Sequence, residues 1–325
     1  MEPMRRITWI LLALTAAGCG EATGPLSDLS ELRTSLAVVN TVLASPLVHS
    51  LGVFRFAGPL AAPAAGAPLI PDSLFGKTLA FTCASQRYAE SGDSGAPATG
   101  VRVVLYRRAP DGSIACPATA IGQLDLFDAS APGTTAVRGV ATAPGGAAPL
   151  VDYTISHNVA DPEGVASATG FVTDGQQRLD FQVTGEPGSG LHNTIATVQL
   201  DDSAKDLHAV LHHAAEMGVD TYYEDVDFSV HDAALRAELK GSAGWFNTLR
   251  SWDEIVSVND VPFAKVGGSA VPENERPRIT PLRGRLFFTG EELRILLDFV
   301  GAPDSIGAGL AGVLGAGAHL VRIAL

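Results

Sequence analysis

Basic residues are scarce in this 325-residue chain: 22 Lys+Arg stand against 35 Asp+Glu, a formal net charge of −13. No basic stripe is available to neutralise a phosphate backbone or to dock on anionic headgroups, so nucleic acid is not an expected partner and electrostatic adsorption to lipid is disfavoured. Cysteine is nearly absent, with three in the chain and no C-x2-C or C-x4-C pair, which argues against a structural zinc site. No residue signature repeats at a fixed period, so the chain is not a propeller or a solenoid. Uninterrupted apolar runs of about 20 residues, the length that crosses a bilayer, are also missing. Ile7 to Ala17 is too short, and the uncharged core near the C-terminus runs only from Ile306 to Ala318. What remains is 46% apolar and only 18% charged. That composition is sufficient for a packed core in one large domain or two.

The first residues, "MEPMRRITWILLALTAAGC", place Arg5 and Arg6 before a short apolar run and small residues before Cys19. This is the pattern of a signal peptide. The ending "AAGC" resembles the lipobox of bacterial lipoproteins, with Ala17, Gly18 and Cys19 in place and Ala16 where that family usually has Leu. The resemblance covers this signal alone. It implies cleavage before Cys19, lipidation of its sulfur and attachment to a membrane. Gly20, in the place where Asp would favour the inner membrane, implies an outer-membrane address in an organism with two membranes. Removal of residues 1–18 leaves 20 Lys+Arg against 34 Asp+Glu, a net charge of −14. With Cys19 assigned to the anchor, Cys83 and Cys116 remain as a pair in an oxidising compartment, where a disulfide is expected. Such a bond would restrict the unfolded chain by ~3–4 kcal/mol in the loop-entropy account.

Behind a short polar tether (19–25), Leu29, Leu32, Leu36, Val39 and Leu43 recur at three- and four-residue spacing, with Asp28 and Glu31 as a capping pair. This predicts an amphipathic helix that ends before Pro46 and covers a core surface. "AGPLAAPAAGAPLIP" reads as a linker, because its prolines interrupt helix and ladder alike. From Thr78 the apolar period becomes two, most cleanly in "RLDFQVTG", where Leu179, Phe181 and Val183 alternate with polar residues. Similar segments recur to Val266, separated by turn signals such as "TDGQQ" and "VSVNDVPFAKV". One face of each is wet, which excludes a doubly wound parallel sheet and predicts a long antiparallel meander. A sheet of a dozen strands curls, splits or closes. The predicted fold is therefore mainly β: a curved sheet, half-barrel or sandwich with N-terminal and C-terminal helices packed on it. The domain reading is 1–18 signal peptide, 19–25 tether, 26–56 helical segment, 57–72 linker, 73–288 β domain and 289–325 C-terminal helical segment. In that last segment "TGEELRILLDFVG" supplies a capping box from Thr289 and Glu292, an apolar face of Leu293, Leu296, Leu297 and Val300, and a stop at Gly301. The Gly/Ala-rich end reads as a second packed helix followed by a terminal strand.

Four stretches invite chemical readings. "GDSG" around Ser94 matches the nucleophile loop of trypsin-like proteases, and His49, Asp72 and Ser94 follow that family's order. However, the short span between them cannot build two barrels, Ala96 replaces the second Gly, and a polar turn is the simpler reading. "HAVLHH" offers His208 and His212 as weak metal candidates, but Ala209 stands where a zincin has its catalytic Glu. On a strand the two imidazoles would lie about 13 Å apart. Asp225, Asp227, Ser229 and His231 alternate on one face without a calcium-loop pattern. "GAGLAG" at Gly307 to Gly312 has no acidic residue about 20 positions on, as a dinucleotide site needs. No cofactor and no catalytic residue follow from these. The expectation is a non-enzymatic, lipid-anchored envelope protein that carries an apolar ligand on a curved sheet, or else a structural module that contacts an envelope protein or glycan.

Overall fold

The structure, a computed structural model, describes residues 24–51, 68–109, 112–158, 165–187, 193–217, 221–246, 249–272, 277–282 and 286–321. The leader with Cys19 lies outside these residues, and of the Pro/Ala linker only 68–72 lie within them. The described residues include four α-helices, α1 (Gly24–Leu43), α2 (Pro46–Leu51), α3 (Gly290–Val300) and α4 (Ala302–Val321), and a short 3-10 turn at Asp72–Leu74. Fifteen strands lie between α2 and α3: β1 (Lys77–Thr82), β2 (Arg87–Ser91), β3 (Gly100–Tyr106), β4 (Ala120–Asp128), β5 (Thr134–Thr142), β6 (Pro149–Asn158), β7 (Ala166–Thr173) and β8 (Arg178–Pro187). They continue as β9 (Asn193–Asp202), β10 (Leu207–Met217), β11 (Thr221–His231), β12 (Arg236–Phe246), β13 (Leu249–Val258), β14 (Val261–Pro272) and β15 (Arg278–Pro281).

All fifteen strands form one curved, unclosed sheet, a half-barrel and not a sandwich. From β3 to β15 each strand pairs antiparallel with its sequence neighbour, because the alternation is half-polar and the turns are short. Asn259 and Asp260 both adopt left-handed backbone (φ 50° and 62°), the conformation a two-residue hairpin between β13 and β14 requires. At the β7–β8 turn, Asp174 accepts from the backbone N–H groups of Gln176 and Gln177, each at 2.8 Å. The meander has one exception: β1 pairs in parallel with β3, and β2 folds back antiparallel on β1 to form the edge. The Cys83–Cys116 disulfide is formed, with Cα atoms 5.9 Å apart, and joins the end of β1 to the segment before β4.

The helices cover one face of the sheet. The predicted stripe of α1, Leu29, Leu32, Leu36, Val39 and Leu43, is entirely buried and packs on β7, β8, α3 and α4. The helix begins at Gly24, which places Asp28 inside it and not at its start. In α3 the Thr289–Glu292 capping box and the Gly301 terminus are as expected. Its buried face is Ile295, Leu296 and Phe299, whereas Leu293 is exposed. The reason is Phe299, whose ring packs 5.3 Å from that of Phe228 in β11 and sets the helix rotation.

The Gly/Ala-rich end folds as the continuous helix α4, which runs to Val321 with no terminal strand before that point; residues 322–325 lie outside those described. By length and composition α4 could span a membrane, yet its apolar side is buried against α1, α2, β5 and β6. Its glycines make this approach possible. A Cβ on Gly317 would lie 2.8 Å from Ile155 Cδ1 and 2.9 Å from Tyr153 Cε2, and one on Gly309 would lie 2.9 Å from Leu43 Cβ. On the opposite, outer face, Arg102 makes two bonds to Asp125 (2.7 and 2.8 Å) and Arg138 two to Asp152 (2.9 and 2.7 Å), which keeps that surface wet and laced with charge.

Candidate functional site

Strand alternation decides which side chains face inward. In β10, Leu207, Ala209 and Leu211 are buried, so His213 and Ala215 continue the inner row. In β11 the buried residues are Val226, Phe228 and Val230, which puts Glu224 and Tyr222 on the same face. In β13, Val258 and Val256 lead to Glu254, Trp252 and Arg250. The pairing register then assembles these residues into rows across the sheet. Glu254 is opposite Gly241, Gly241 opposite Val226, and Val226 opposite His213. One step further out, Trp252, Ala243, Glu224 and Ala215 are aligned, and beyond them Arg250, Trp245 and Tyr222. At one end of its strands the apolar inner face therefore gives way to a mouth of aromatics and charges, with Gly241, Ala243 and Ala215 as small residues between the large ones.

Two features shape this mouth. Between β13 and β14 the register shifts at Arg250/Trp252, where β14 carries one extra residue and Gly268 stands opposite Trp252. Gly241 has φ of 150°, and a Cβ there would lie 2.2 Å from the Asp253 carbonyl oxygen and 2.6 Å from Glu254 Cα. Only glycine permits that close approach. Above the rows sits the first turn of α4, which brings Asp304 near Glu224 and Glu254.

The electrostatics divide the carboxyls. Tyr222 donates to Glu224 Oε2 at 2.5 Å, and His213 Nε2 lies 2.8 Å from the same oxygen. Burial works against the Glu224 charge, but these hydrogen bonds and the Arg250 guanidinium outweigh it and hold the group below its ordinary pKa. Glu254 is 4% exposed, and its Oε2 has no hydrogen-bond partner. Burial first, then the charges of Glu224 and Asp304, push its pKa up to about 7. Asp304 is raised too, by burial and by Glu224, although part of it remains open to solvent at the rim. Trp245, 42% exposed, stacks on Tyr222 with centroids 4.0 Å apart, and the Arg250 guanidinium lies 5.8 Å from its ring. Behind this cluster lies an open groove of about 390 Å³ lined by the outward-facing Tyr223, Ser242, Ser251, Asp253, Lys265 and Gly267, with Ala243, Trp252 and Gly268 also touching it.

The residues singled out from sequence lie elsewhere. His208 and His212 project from the outer face of strand β10. His208 Nδ1 is 2.5 Å from Asp201 and its ring stacks on that of His231 at 5.0 Å, while His212 contacts Thr197 at 3.0 Å. Asp225 and Asp227 share that wet face, where they meet Tyr223 (3.0 Å) and Lys240 (3.5 Å). Ser94 is exposed in the loop between β2 and β3, and among the described residues no imidazole or carboxylate is bonded to it. His49 is exposed on α2, and "GAGLAG" lies inside α4. Among the described residues no three His, Cys, Asp or Glu side chains converge to hold a metal ion. Sequence reasoning missed the mouth. The available signal was polar residues in the inward phase: Glu254 with Val256 and Val258, Glu224 with Val226 and Phe228.

No protein-family model, curated protein or solved structure matches this chain.

Proposed function

We propose that this chain is a lipid-anchored protein of the cell envelope that binds, without transforming it, a ligand at the mouth of its half-barrel. The supporting observation is the contrast along the inner face. Its apolar middle is taken by α1, α3 and α4, while the end beyond them carries exposed Trp245 and half-buried Tyr222 and Arg250 beside carboxyls and a floor of small residues. Sites with few convergent polar groups among aromatic walls are those that orient a bound molecule. The ligand in this reading is polar at the end that enters the mouth, where the sequence alone suggested an apolar one. Native mass spectrometry of protein extracted from membranes tests it. The expected result is a reproducible bound mass that Trp245→Ala loses; retention of the same mass by that variant overturns the assignment to the mouth.

A second reading, contact with an envelope glycan, is favoured by the outer groove, whose Tyr223 is 49% exposed beside Asp253 and Lys265. Loss of the bound mass in Tyr223→Ala, with Trp245→Ala unaffected, would select it.

A further inference from the structure

Resting on the mouth as the binding site, we propose that the group it receives is an organic ammonium, such as a lysine ε-amino group or an alkylamine, with Glu254 and Glu224 as its counter-charges.

The argument starts with Glu254. A carboxyl this deeply buried with one oxygen unbonded is costly, because burial removes water without supplying a donor. The groups around it are unbalanced in sign. Glu224 and Asp304 act on it as further carboxyls, from β11 and from α4. The cationic or neutral polar groups on the same side are His213 and Tyr222, both engaged with Glu224, and Arg250, which lies two rows out over Trp245; His213 and Arg250 offset the charges of Glu224 and Asp304, not that of Glu254. Val266, opposite Glu254 on β14, brings no charge. An entering cation would therefore satisfy the free oxygen and reduce the repulsion among three carboxyls.

The shape of the site selects the kind of cation. A bare metal ion needs several ligands converging on one point, and these carboxyls come from separate rows of the sheet and from a helix above it. An ammonium carries three N–H donors that can reach separate acceptors. Its hydrocarbon body requires a wall, and Trp252 stands in the row just outside Glu254, with the Tyr222–Trp245 stack one row beyond it. Gly241 and Ala243 are the small residues of the strand that separates Glu254 from Glu224. An anionic ligand would meet three carboxyls, and an uncharged sugar would leave Glu254 unneutralised.

The experiment is isothermal titration of the full chain with n-butylammonium chloride, with n-butanol as the uncharged body of the same length. Saturable binding of the ammonium and none of the alcohol is expected. Glu254→Gln, which keeps shape but not charge, should weaken binding by at least about tenfold. Asp304→Asn, which keeps the shape of the side chain in the first turn of α4, should weaken it by a smaller factor. Equal binding of butanol, unchanged affinity in Glu254→Gln with Asp304→Asn, or displacement of the ammonium by equimolar calcium overturns the proposal. The mouth itself is judged separately: a natural ligand lost in Trp245→Ala together with no ammonium binding rejects the ammonium and keeps the site. A natural ligand retained in Trp245→Ala rejects the site.

Discussion

At the scale of single residues, Glu254 is where stability and function pull apart. Its pKa of about 7 in the folded protein lies above the ordinary 4.5. Between those values the folded state holds more protons than the unfolded chain, so its contribution to stability is present at low pH and is lost as pH rises toward and past 7. Replacement by Gln removes that slope. Glu254→Gln is expected to leave stability nearly unchanged at pH 4.5 and to raise it by about 3 kcal/mol at pH 8 in denaturant titrations. A variant less stable than the parent at pH 8 would contradict the buried, unpaired state. A group that costs stability at neutral pH and persists in the inward row is of the kind expected at a binding site.

At the scale of elements, the strands were readable because each carries its own period: Leu179, Phe181 and Val183 alternate whatever the rest of the chain does. The omissions have physical causes. β2 was hidden because Tyr88 is its only buried residue, and β15 because four residues give too short a pattern. The parallel pairing of β1 with β3 and the meeting of Glu224 with Glu254 depend on register between distant segments, which local alternation does not encode. The rotation of α3 is not legible in sequence because Leu293 and Ile295 are both apolar, and the contact of Phe299 with Phe228 decides between them. For α4, the glycines that obscured the helix in sequence are what seat it. Gly317→Leu is expected to destabilise the fold by about 2–3 kcal/mol, since Tyr153 and Ile155 are already in contact distance of a Cβ. Thermal unfolding checks this, and an unchanged midpoint would show that α4 can shift at no cost.

At the scale of the whole molecule, the proposed anchor and the body are close together. Only residues 20–23 separate Cys19 from the start of α1, a reach of about 17 Å when fully extended. The half-barrel would then be held at the bilayer surface and not on a long stalk. Cys19→Ser is expected to move the protein from the membrane to the soluble fraction on cell fractionation, and undiminished membrane retention would argue against lipidation. The order of the sheet has a consequence of another kind, for the way the protein is made. Every strand from β4 onward finds its partner in the segment just synthesised, so the sheet can grow in step with the emerging chain. Its cover cannot do so. α1 comes first, but α3 and α4, which bury Phe228, Tyr153 and their neighbours, follow all fifteen strands. A growing chain therefore carries a nearly complete sheet whose apolar face is only partly covered, by α1 and α2, until α3 and α4 are made, and in that interval it is most in need of a chaperone.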